Sequence, residues 1–134
     1  MTVLLDTNAL LWLSFASERL GKSSKRLIER ARNDQNLTVS AISFWEAALL
    51  VHKGRVELNQ SPSAWRRAVL HLGIREIPLD GFLATEAVAL MPFHADPADR
   101  FIVATAIHEN ATLITSDQRI LDWTNALARQ DATR

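Results

Sequence analysis

The sequence predicts an α/β protein, a parallel sheet with helices on both faces. Short apolar runs recur at Val3-Leu4-Leu5, Leu37-Thr38-Val39 and Thr112-Leu113-Ile114-Thr115, each strand-like in length and bounded by polar or turn-forming residues. Longer segments with apolar residues at helical spacing separate them. Strands that alternate with helices argue for a parallel sheet covered on two sides.

The elements follow in order. Val3 to Leu5 reads as a buried strand. Asp6-Thr7-Asn8 supplies cap-type residues, so a helix should begin before Leu10-Leu11-Trp12. After the break at Gly21, Ser23 or Ser24 could cap a second helix reaching Arg32, with Leu27, Ile28 and Ala31 as its inner stripe. Asn33 to Asn36 is a turn cluster, and Leu37 to Val39 is the second strand. A third helix starts at Ser40 or Ser43 and stops near Gly54. Asn59 to Pro62 is a loop, and Pro62 suits the first turn of a helix ending near Gly73. Ile74 to Ile77 is a weak third strand because Arg75 and Glu76 interrupt it. A helix covers Gly81 to Leu90, a loop Pro92 to Pro97, and a further helix Ala98 to Glu109. Thr112 to Thr115 is the fourth strand, and a short helix follows Asp117. Ala126 to Arg134 is polar and is expected to fray.

Composition limits the classes open to this chain. Its 134 residues fit one domain, residues 1–134, large enough for a real core. It has no cysteine, which excludes disulfides and thiolate metal sites and fits a reducing cytoplasm, the expected location. Met1 leads straight into a strand, so no signal peptide is expected, and no apolar run has the ~18 residues of a membrane span. Lys+Arg and Asp+Glu are both 15, which counts against a broad basic nucleic-acid surface. The local group Lys22, Lys25, Arg26, Arg30 and Arg32 reads first as a solvated helix face.

Four acids break the hydrophobic pattern. Asp6 and Asp117 each end an apolar run; Glu46 lies within Ile42-Ser43-Phe44-Trp45-Glu46-Ala47-Ala48-Leu49, and Asp99 precedes Phe101-Ile102-Val103-Ala104. Strand ends in a parallel sheet open into one crevice, so Asp6 and Asp117 should share it. Ile42, Trp45, Glu46 and Leu49 run i, i+3, i+4, i+7, as do Asp99, Ile102, Val103 and Ala106, so each helix should turn its acid inward. Two like charges at ~4 Å repel by ~4 kcal/mol at an effective dielectric of 20. Several such pairs would rival the ~5–15 kcal/mol stability of a domain. Either some of the acids hold protons, or a divalent cation neutralises them. All-oxygen ligation suits Mg²⁺ or Mn²⁺ and serves phosphoryl chemistry. Taken singly, Asp6 and Asp117 could be helix caps and Asp99 a first-turn acid. Glu46, in the middle of a helix, has no capping role.

These segments resemble the PIN-domain nucleases, and within them the VapC-like toxins of type II toxin–antitoxin pairs. The matching stretches are Leu4-Leu5-Asp6-Thr7-Asn8-Ala9-Leu10-Leu11-Trp12, Ser40-Ala41-Ile42-Ser43-Phe44-Trp45-Glu46, Lys53-Gly54-Arg55, His94-Ala95-Asp96-Pro97-Ala98-Asp99-Arg100 and Leu113-Ile114-Thr115-Ser116-Asp117. The resemblance implies a three-layer α/β/α sandwich around a parallel sheet of four to five strands. It implies that Asp6, Glu46, Asp99 and Asp117 are the catalytic acids and bind Mg²⁺ or Mn²⁺. It implies an endoribonuclease acting on RNA such as tRNA or rRNA, blocked by a cognate antitoxin protein, and a homodimer. Thr7, Asn8, Thr115 and Ser116 could orient the carboxylates, with Asn8 read first as a cap; Asp96 fits a turn before Pro97 ahead of a role in the site, His94 a loop-fixing bond ahead of catalysis, and Arg100 an RNA phosphate, an acid of the site or a plain surface role. Trp12, Phe44 and Trp45 read as core or partner-facing aromatics ahead of base-stacking platforms. The fifth strand is the weak point, since Trp123 to Arg129 carries little strand signal.

Two rivals remain. A haloacid-dehalogenase-type phosphatase needs a second acid where this chain has Asn8. A catalytically silent PIN-like module would bind RNA or a partner without cutting.

Overall fold

The computed structural model describes residues 1–90 and 96–134. Its elements are β1 (Val3–Leu5), α1 (Thr7–Ser14), α2 (Lys22–Asn33), β2 (Leu37–Ser40), α3 (Ala41–His52), α4 (Pro62–His71), β3 (Arg75–Ile77), α5 (Gly81–Val88), α6 (Pro97–His108), β4 (Thr112–Thr115), α7 (Gln118–Leu121) and β5 (Arg129–Asp131). The strands form a five-stranded sheet in the order β3-β2-β1-β4-β5, and every pairing is parallel. β1 is central: Val3 pairs with Leu37 on one side and Thr112 on the other.

Alternation along the strands divides the core in two. Val3 and Leu5 enter one cluster with Leu10, Ile28, Val39 and Val69, from α1, α2, β2 and α4. Leu4 points the other way, into a cluster with Ile102, Val103, Ala106 and Ile120, from α6 and α7. β4 divides likewise, Leu113 to the second cluster and Ile114 to the first. Full burial of each such Leu, Ile or Val stabilises the fold by roughly 1.5–3 kcal/mol before the entropy of ordering it is counted. The expected α/β/α sandwich is therefore the one that forms.

Helix α3 departs from the layers. It touches α1 and α4 from one layer and α6 from the other. Phe44 and Leu50 pack on the first cluster and Ile42 on the second. Its buried residues are the small Ser43 and Ala47, whereas Trp45 is exposed. The expected inner stripe Ile42-Trp45-Glu46-Leu49 is thus wrong at Trp45. A helix wedged between two layers has two inner edges, which one stripe does not describe.

The helix starts follow capping chemistry, with one exception. Asp6, Ser40, Ser61, Asp80, Asp96 and Asp117 each accept a main-chain N–H of the helix they begin. The exception is α2, whose cap is Gly21 rather than Ser23 or Ser24. The C-terminal segment replaces the missing side chain: Gly21 N donates to Ala132 O and Ser24 N to Arg134 O, both at 2.9 Å. Ser24 is buried and its hydroxyl donates to Asp131 O at 2.9 Å. A Cβ at Gly21 would lie 2.1 Å from the Arg134 carbonyl carbon, so only glycine admits the tail here. The expectation of a frayed terminus is overturned. The fifth strand forms, short as anticipated, and Ala132 behind it is fully buried.

The weak third strand is held by side chains. Arg66 on α4 donates Nε and Nη2 to the two carboxylate oxygens of Glu76 at 2.8 and 2.7 Å. That fork holds the Glu76 carboxyl below its ordinary range, with the Arg66 hydrogen bonds as the main cause.

Candidate active site

The strand order reverses direction at β1, where the chain leaves to β2 on one side and later returns to β4 on the other. The crevice beyond the carboxyl ends of these strands is where ligands bind in open parallel sheets. Asp6 stands there, directly after β1, with its N–H on Ile114 O at 3.0 Å. Its carboxylate is buried and held at both oxygens. Ala9 N donates to Oδ1 at 2.8 Å, and the Thr115 hydroxyl donates to Oδ2 at 2.6 Å. Burial raises the Asp6 pKa above its ordinary value, against the lowering effect of those hydrogen bonds.

Thr115, the last residue of β4, does a second task. Its hydroxyl oxygen accepts the Asp117 N–H at 3.0 Å. One buried hydroxyl thus fixes the Asp6 carboxylate and the main chain that presents Asp117. Asp117 caps α7, accepting Arg119 N on Oδ1 at 2.8 Å.

Glu46 reaches the crevice from α3. The Thr7 hydroxyl, at the start of α1, donates to Glu46 Oε1 and lies 3.0 Å from Ser43 Oγ. Burial raises the Glu46 pKa first, with the charges of Asp96 and Asp6 adding to it and the Thr7 bond opposing. Ser43, read in the sequence only as a possible helix start, lies inside α3 next to this bond, and Ser40 is the cap. The signal for Ser43 was its place one helical turn before Glu46, on the same side.

Asp99 lies in the first turn of α6, above the buried Ile102, Val103 and Ala106 as the spacing predicted. It collects the field of the whole group. Burial and then the charges of Asp96, Asp117, Glu46 and Asp6 push its pKa up to about 8. The other three acids singled out in the sequence therefore all act on Asp99, and Asp96 joins them. Asp96 itself caps α6, accepting Ala98 N at 3.0 Å, as its place before Pro97 suggested.

Other expectations fare differently. Asn8 is exposed, and the cap of α1 is Asp6. Arg100 lines a shallow cleft against Ala84 and Val88 of α5. Lys22, Lys25, Arg26, Arg30 and Arg32 are all exposed along α2, as a solvated face requires. Trp12 and Phe44 pack against the core, and Phe44 meets the Trp65 ring edge-on at 5.8 Å. His94 lies outside the described residues.

The donor set fits a hard divalent cation: every candidate atom is a carboxylate or hydroxyl oxygen, and the group carries concentrated negative charge. Among the described residues, no three His, Asp or Glu side chains stand together as a metal-binding cluster.

The PIN domain family model matches residues 3–124. The chain belongs to the PIN domain family. This PIN domain is 37% identical over 120 residues to Ribonuclease VapC22 of Mycobacterium tuberculosis, covering 89% of each chain. Among solved structures it is similar to VapBC2 from Rickettsia felis bound to a DNA fragment from their promoter, with a TM-score of 0.64 at 20% identity, covering 97% of this chain and 98% of the other. It is also similar to VapBC-1 from nontypeable Haemophilus influenzae, with a TM-score of 0.58 at 23% identity over 100% of both chains. At such identities these two structures speak for the fold of the PIN domain alone.

Proposed function

We propose that this PIN domain is a divalent-metal-dependent endoribonuclease and the toxin of a type II toxin–antitoxin pair. The observation that carries the reading is the gathering of acids at the carboxyl edge of the sheet, where Asp6, Glu46 and Asp117 all act on buried Asp99. The 37% identity to a ribonuclease over most of both chains gives that charge a reaction. Asp6, Glu46, Asp99 and Asp117 would hold Mg²⁺ or Mn²⁺, which when bound acidifies water and offsets charge on the phosphate oxygens.

The chain's own residues prepare that site. Thr115 and the α1 main chain hold the Asp6 carboxylate rigid. Thr7 fixes one oxygen of Glu46. Asp99 holds a proton near neutral pH, because burial first and the surrounding carboxylates next raise its pKa, and a bound cation would favour its release by offsetting those charges. The crevice is thereby set to take an RNA phosphodiester and divalent charge together.

The proposed partner of this chain is a small antitoxin protein; a solved structure of like fold, from Klebsiella pneumoniae, is a toxin–antitoxin complex. The proposed location is the cytoplasm; among the described residues no helix is long and apolar enough to cross a membrane. Sedimentation of the free chain tests the expected homodimer.

The deciding assay is cleavage of total cellular RNA by the wild-type chain and by Asp6→Asn, each with Mg²⁺ and with chelator. Cutting by the wild type in Mg²⁺ alone is expected. Cutting that survives chelation would sink the metal reading, and no cutting by the wild type under any condition would leave a silent binding module. Growth arrest on induction, relieved by a small protein encoded beside the chain, tests the toxin role.

A further inference from the structure

Trp45 is 57% exposed, unusual for the residue type that buries the most apolar area. It directly precedes Glu46, and the two residues line the same open cleft. Leu49 and Lys53 follow at four-residue steps along the same side of the helix. Together with Asp96 and Pro97 at the start of α6, these residues line an open cleft of about 230 Å³. Along the helix axis Glu46 lies between Trp45 and Lys53: the indole is on its N-terminal side, and the exposed Lys53 stands roughly 10 Å beyond Glu46 at 1.5 Å per residue.

That sequence of chemistries matches a single nucleic-acid strand. A flat aromatic takes a base, a cation-binding acid group takes a phosphate, and a lysine takes a neighbouring phosphate. We propose that Trp45 is a stacking platform for an unpaired nucleobase beside the scissile phosphate, with Lys53 holding a phosphate next to it. The inference rests on the nuclease reading and names the side chains that would place the substrate strand against the acids. The platform is continuous with the crevice through Glu46, which favours the substrate over a protein as its occupant. Stacking tolerates every base, so Trp45 sets where the strand unpairs and not which base is read.

The test uses the Asp6→Asn full chain in Mg²⁺ and a randomised single-stranded RNA dodecamer, with binding followed by anisotropy. Trp45→Leu keeps bulk and apolarity but removes the π-face, and it should weaken binding about tenfold. Trp45→Phe should restore most of it. On an abasic chain of the same length, the Trp45→Leu protein and its parent should bind alike. Lys53→Ala should lower the salt dependence of binding by about one charge. Phe82→Ala removes a comparably exposed ring on α5, beside His108 at the far end of α6, and should change nothing. Equal binding by Trp45→Leu, a loss that persists on the abasic chain, or no binding of the dodecamer at all overturns the inference. So does a Trp45→Leu chain that binds RNA normally but escapes its antitoxin, which would assign the ring to the protein partner. The nuclease reading is judged separately, by Mg²⁺-dependent cutting with the wild-type chain.

Discussion

Replacing Thr115 by valine should separate the positioning of the acids from their identity. The two side chains are nearly the same shape, and the site is fully buried, so packing changes little. What disappears is one hydroxyl with two bonds: its donation to Asp6 Oδ2 at 2.6 Å and its acceptance of Asp117 N–H at 3.0 Å. A hydrogen bond to a charged group is worth about 1.5–3 kcal/mol. If that energy is spent holding ionised Asp6 ready for a cation, its loss weakens Mg²⁺ binding roughly 10- to 150-fold. The direction of the pH effect is also fixed. The Thr115 bond is the largest cause lowering the Asp6 pKa against burial. Without it Asp6 keeps its proton to higher pH, so Mg²⁺-dependent cleavage should begin at higher pH than in the wild type. Calorimetric Mg²⁺ titration and a pH profile of cleavage measure both effects. Thr115→Ser keeps the hydroxyl and should recover affinity and profile, which guards against a mere folding defect. A Thr115→Val chain that binds Mg²⁺ within about twofold of wild type and keeps its pH profile would refute the reasoning, since even the weaker bond energy predicts more.

Two further outcomes follow from the same structure. The raised pKa of Asp99, about 8, means that the proton's contribution to stability is complete below the ordinary carboxylate range and is lost as pH rises through about 8. The metal-free wild type should therefore melt at lower temperature at about pH 8.5 than at about pH 5, Asp99→Asn should flatten that slope, and Mg²⁺ should restore stability at high pH only in the wild type. Gly21→Ala forces a Cβ to within 2.1 Å of the Arg134 main chain; at about 1–3 kcal/mol for overpacking, the melting temperature should fall by several degrees, and an unchanged value would deny the tail its structural role.

Much of this architecture was legible because local signals agreed with the tertiary outcome. Val3-Leu4-Leu5 and Leu113-Ile114 are apolar on both faces, which is what a central strand between two helical layers demands. Pro62 and Pro97 mark helix starts because their missing N–H costs nothing there. The site was legible for a different reason: an acid among apolar residues is costly, so its position carries information. What escaped the reading depends on contacts between distant parts of the chain. Gly21 looks like a simple break until residues 132–134 arrive to cap α2. β5 has no strand composition, and its pairing with β4 and the burial of Ala132 place it instead. Trp45 was misplaced because a stripe at helical spacing assumes one buried side, whereas α3 meets both layers.

Capping and catalysis compete as explanations only when each acid is viewed alone. Asp6 and Asp117 are N-caps in the structure, and both also act on the charge at Asp99. The two roles draw on different properties. A cap needs an oxygen acceptor at the right distance, which an amide supplies as well as a carboxylate. A cation site needs the negative charge, which an amide lacks. Asp117 tests this cleanly, being only partly buried and linked to α7 through Arg119 N at 2.8 Å. Asp117→Asn should keep the cap, melt within a degree or so of the wild type, and lose Mg²⁺ affinity and cleavage. Asp117→Ala should lose the cap as well, at about 1 kcal/mol, and melt lower. Thermal melts with and without Mg²⁺ on the two variants distinguish the roles. If Asp117→Asn cleaves RNA like the wild type while Asp117→Ala merely unfolds earlier, Asp117 is a cap and nothing more, and the cation would rest on Asp6, Glu46 and Asp99.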